Sequence, residues 1–83
     1  MTNTQSDRLA KAIGHSIALA TLPADTYPIS VARDVGKAVA DVIAQICVED
    51  RMQPFTSKDL DRFLNRVTDS CDATYRRRIE ERS

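Results

Sequence analysis

The chain has 83 residues, with twelve Lys and Arg against twelve Asp and Glu, 42% hydrophobic residues and only 5% aromatic ones. That length allows one small domain. Two glycines exclude a glycine-rich phosphate loop, two cysteines argue against a disulfide scaffold, and apolar content at zero net charge argues against a disordered tail.

In chain order, the first predicted helix covers about residues 5–22. Thr4-Gln-Ser-Asp7 has the spacing of a loose capping box at its start. Leu9, Ile13, Ser16, Ile17 and Ala20 then recur at helical spacing and form one face. Pro23 and Pro28 bracket the break that follows, because proline disfavours helical geometry in the residue before it. The uncharged stretch 12–24 contains His15, Ser16 and Pro23. It falls short of the roughly 20 apolar residues that span a bilayer, so no membrane segment is expected. It is also too diluted, with Asp7 before it, to read as a signal peptide.

The second predicted helix covers about residues 31–52, with Ser30 as N-cap and Pro54 as stop. Val31, Val35, Ala38, Val39, Val42, Ile43 and Ile46 build a wide apolar face that reads as core; their spacing of three and four is helical despite the valines. Residues 29–43 resemble a helix-turn-helix with its turn deleted: Ala32 and Gly36 have the right spacing, but Lys37 stands where the motif wants an apolar residue. A continuous helix carrying one glycine is the better account.

The third predicted helix, about residues 57–81, has the clearest start. Thr56-Ser-Lys-Asp59 is a capping box, and Phe55 before it can staple onto Leu60. Leu60, Phe63, Leu64, Val67, Cys71, Tyr75 and Ile79 continue one stripe. The expected fold is therefore an all-α three-helix bundle forming a single domain over residues 1–83. Helices two and three make a long antiparallel hairpin that holds most of the core, and the last turns of helix three extend beyond the shorter helix one.

Catalysis is poorly provided for. His15 is the only histidine and lies off the main apolar face, and no CxxC or HxxxH spacing supports a metal. Most acids have a basic neighbour at helical spacing: Asp59 with Arg62, Asp72 with Arg76, Arg77 with Glu81. The reading is a non-enzyme without cofactor or metal, its cysteines free thiols in a reducing cytoplasm.

Two binding surfaces can be drawn. On helix one, Ala10, Gly14 and Ala18 repeat every four residues as a shallow groove where another helix could approach, with Leu19 and Leu22 alongside. Tyr27, between two prolines, adds an aromatic contact. A surface of this kind fits stoichiometric binding to a protein partner, with the chain as a homodimer, by a regulator, adaptor or inhibitor of the sort that phages and mobile elements encode. On helix three, Lys58, Arg62, Arg66 and Arg77 fall within about 100° of arc and could follow phosphates. That stripe is the alternative, a helical DNA-binding regulator, and acidic neighbours Asp59, Asp69 and Glu80 weaken it.

Overall fold

The computed structural model describes residues 3–23 and 28–82. Its regular structure is three helices, α1 (Asn3–Thr21), α2 (Pro28–Glu49) and α3 (Ser57–Arg82), each packed against the other two. There is no strand among the described residues.

Local chemistry sets the helix ends. At α1 the start lies two residues earlier than a Thr4 cap would give, and Asp7 pairs with Arg62 of α3. The helix closes with the Leu22 amide donating to Ala18 O at 3.2 Å and the Thr21 hydroxyl donating to Ile17 O at 2.8 Å, just before Pro23. α2 begins at Pro28 rather than after Ser30, since proline's fixed φ suits the first helical turn, where its missing N–H costs nothing.

α2 also ends sooner than Pro54 requires. The Met52 amide donates to Cys47 O at 2.9 Å and the Arg51 amide to Val48 O at 3.3 Å, with Arg51 at φ 53°. These are the two bonds of a Schellman cap, with Arg51 in the left-handed position that usually falls to glycine. At α3 the capping box forms as expected. Thr56 donates to Asp59 Oδ2 from its amide at 2.9 Å and its hydroxyl at 3.0 Å, and the Asp59 amide donates back to Thr56 Oγ1 at 3.3 Å. Phe55 sits edge-on to Phe63, with ring centroids 6.4 Å apart, and packs on the core together with Leu60.

α1 and α3 run in the same direction, because their contacts advance in step. Asp7 meets Arg62 and Arg66, the carbonyl of Lys11 accepts from Ser70 Oγ at 2.8 Å, Gly14 lies against Val67 and Cys71, and His15 bonds Thr74. This pair, rather than α2 with α3, has the most extensive packing in the molecule.

The core is made largely of small residues. Ala10 and Ala18 on α1 and Ala32 and Ala40 on α2 are buried with Gly14 and Gly36, so each helix offers an Ala-x3-Gly-x3-Ala seam to the same strip of α3. That strip is Phe63, Leu64, Val67, Cys71 and Thr74. A methyl or a hydrogen at every fourth position lets helix axes come close, but it removes little apolar surface per residue at about 25 cal/mol per Å². Large side chains are consequently displaced outward. Val42 is 54% exposed, Ile46 44% and Val35 38%, and Ala38 is also exposed. The expected inner face of α2 is thereby corrected: of that set, Ile43 is buried and Val31 and Val39 are partly so.

On α1 the same shift makes Leu9, Ile13 and Ile17 partly buried flanks, with Ser16 and Ala20 exposed. At about 1.5 Å per residue α3 outruns α1, and residues 76–81 are all exposed.

Candidate interaction surfaces

The Ala10, Gly14 and Ala18 groove is filled by α3 of the same chain. An added Cβ on Gly14 would stand 2.8 Å from the backbone nitrogen of Cys71 and 2.9 Å from Ser70 Cβ. The helix that approaches this seam is α3 of the same chain, and the buried Ala10, Gly14 and Ala18 offer no surface to a second molecule. Leu19 remains 36% exposed, and with Leu22, Pro23, Arg78 and Glu81 it lines a shallow cavity near the end of α1. Tyr27 lies outside the described residues.

The arginine stripe of α3 is partly engaged. Arg62 binds Asp7 at two points, Nη2 donating to Oδ2 at 2.9 Å and Nε to Oδ1 at 3.3 Å, and Arg66 Nε approaches Oδ1 at 3.9 Å. Hydrogen bonding from Arg62, then the charges of Arg62 and Arg66, hold the Asp7 carboxyl below its ordinary value of 3.8 despite some desolvation. The expected pairing of Asp59 with Arg62 gives way to the cap, whose Thr56 bonds lower Asp59 in turn. Arg76 pairs with Asp72 at 3.1 Å as its spacing suggests, whereas Glu81 takes Arg78 at 3.4 Å instead of Arg77. Lys58 is exposed, and Arg77 faces a cavity shared with α1.

His15 Nδ1 is hydrogen-bonded to Thr74 Oγ1 at 3.2 Å, and Thr74 is 4% exposed. Cys47 and Cys71 are free and buried, and burial with the nearby Asp72 raises the Cys71 thiol, which disfavours the reactive thiolate. Among the described residues no three of His, Cys, Asp and Glu converge as a metal cage would need, and no described helix is long and apolar enough to cross a membrane.

What sequence reasoning missed is the outer face of α2. Val31, Val35, Ala38, Val42 and Ile46 fall within about 80° of arc. They lie on the flank turned away from α3, since Gly36 and Arg33 on the other flank meet α3 at Leu64 and Val67 and beside Asp61 and Asn65. Asp34 and Asp41 follow along one edge with Lys37 between them, and Glu49 closes the stripe at its C-terminal end. A signal for it exists: the apolar residues of α2, alanines included, cover some 280° of arc, more than the roughly 100° stripe that a helix turns to its core.

No family model matches the chain, and no significant match is found among curated proteins or solved structures.

Proposed function

We propose that the protein acts without catalysis, by stoichiometric binding of a protein partner through the outer face of α2, as a cytoplasmic regulator, adaptor or inhibitor. In this reading α2 and α3 form an antiparallel hairpin that presents the face. The observation that carries it is the exposure of Val35, Val42 and Ile46 on one side of a helix whose buried side is made of Ala32, Gly36 and Ala40. Contiguous apolar side chains left in water mark an interaction site on a small soluble domain. The acidic edge formed by Asp34 and Asp41 suits an amphipathic helix of the partner with basic residues at its margin. A homodimer through α2 is less well served, since an antiparallel pairing would set that acidic edge against itself.

The second reading, DNA binding by the α3 stripe, has less support because Asp7 engages Arg62 and Arg66. The test is capture from native lysate, with nuclease, by wild type and by Val42→Asp/Ile46→Asp. Recovery of one protein in stoichiometric amount by wild type and its loss from the variant is the expected result. Recovery that disappears on nuclease treatment, or that the variant retains, would overturn the proposal.

A further inference from the structure

The α1–α3 groove holds a cavity of about 680 Å³ lined by Lys11, Ala12, His15, Ser70, Ala73, Thr74 and Arg77. Its charge is one-sided: two cations and a histidine from two helices face it, and no carboxylate does. Asp7 and Asp69 line the neighbouring cavity with Arg8 and Arg66, and Lys11, Ser70 and Ala73 border both cavities. Elsewhere on α3, Arg62, Arg66, Arg76 and Arg78 each have a carboxylate within 4 Å, while Lys58 at the start of the helix has none among the described residues. Lys11 and Arg77 have no such partner among the described residues. In a chain of zero net charge, a groove lined by two cations and a histidine has a local field that favours an anion.

The walls are fixed. Ser70 Oγ donates to Lys11 O at 2.8 Å, tying the two helices together at the cavity. The bond between His15 Nδ1 and Thr74 Oγ1 holds the imidazole, and Nε2 remains as its second polar atom. Ala12 and Ala73 are too small to fill the space between the cations. Rigid helices carrying a guanidinium, an ammonium and an imidazole around a small-walled opening are the means by which phosphate esters are held, the guanidinium for its paired donors and the lysine as a point charge.

We propose that this cavity binds a small phosphorylated ligand, its phosphate between Lys11 and Arg77 and its uncharged part against Ala12 and Ala73. This goes beyond the partner-binding reading, since the groove lies between α1 and α3, whereas that reading uses the free flank of α2.

The test is an NMR titration of the full chain with glycerol 3-phosphate at low salt, with glycerol and matched sodium chloride as controls. Saturable shifts centred on residues 11–15 and 73–77 are expected. Lys11→Ala/Arg77→Ala should keep the wild-type spectrum elsewhere and bind at least tenfold more weakly. Shifts reproduced by chloride, or affinity unchanged in the double variant, would overturn the proposal. Tighter binding of a single-stranded oligonucleotide lacking a terminal phosphate would overturn it too, and would return the groove to the nucleic-acid reading.

Discussion

Gly14 of α1 lies against the backbone carbonyl of Val67, and the side chain of the same valine lies 3.6 Å from where a Cβ on Gly36 of α2 would stand. One residue of α3 thus sits between the two glycines, its main chain facing one and its side chain the other. The two contacts differ in what can yield. Backbone cannot retreat without moving a helix, whereas the Leu64 methyl, 2.9 Å from the same Gly36 position, is the end of a flexible side chain.

Gly14→Ala is therefore expected to destabilise the fold by about 2–3 kcal/mol, the range of overpacked cores, and to lower Tm by roughly 10 °C or more. Gly36→Ala should stay within about 1 kcal/mol of wild type, because the helix propensity gained offsets the adjustment of Leu64. Thermal melts of the two variants side by side check this. Equal losses would mean that α3 is not the shared seam.

Arg51 closes α2 at φ 53°, a conformation that costs an L-residue roughly 1–2 kcal/mol and glycine little. Arg51→Gly should raise stability by about 0.5–1 kcal/mol in urea unfolding, with no change in helix content. A loss of stability would show that the Arg51 side chain has a structural role.

Asp7 is held below 3.8 by Arg62, so its contribution to folding is present above that value and is lost as pH falls through the depressed folded value. Asp59 behaves in the same sense through Thr56. Asp7→Asn should accordingly flatten the acid limb of the stability profile below about pH 4 and leave the Asp59 component in place. An acid titration followed by circular dichroism measures it; an unchanged limb would mean the Arg62 contact has no weight in solution.

Local signals carried much of the fold. The Thr56–Asp59 capping box and the prolines at 23, 28 and 54 divide the chain into three helices before any packing is considered. Tertiary choice was harder to read. α2 is apolar on both flanks, and hydrophobicity alone ranks Val35, Val42 and Ile46 above Ala32, Gly36 and Ala40 as core. Close approach reverses that order, and it depends on a neighbour that local periodicity does not reveal. The Ala-x3-Gly-x3-Ala spacing was visible on α1 and pointed to a helix contact, but not to which helix. The pairing of Arg62 with Asp7 crosses most of the chain, so spacing along α3 offered the nearer Asp59 instead.

Partner binding through α2 requires its outer face to be surface rather than core. The most direct measurement is the unfolding free energy of Val42→Asp/Ile46→Asp in urea. Both positions are half-exposed, so stability within about 1 kcal/mol of wild type with unchanged helicity is predicted. A loss of several kcal/mol, the cost of unpaired buried charge, would contradict it and place these residues inside the fold.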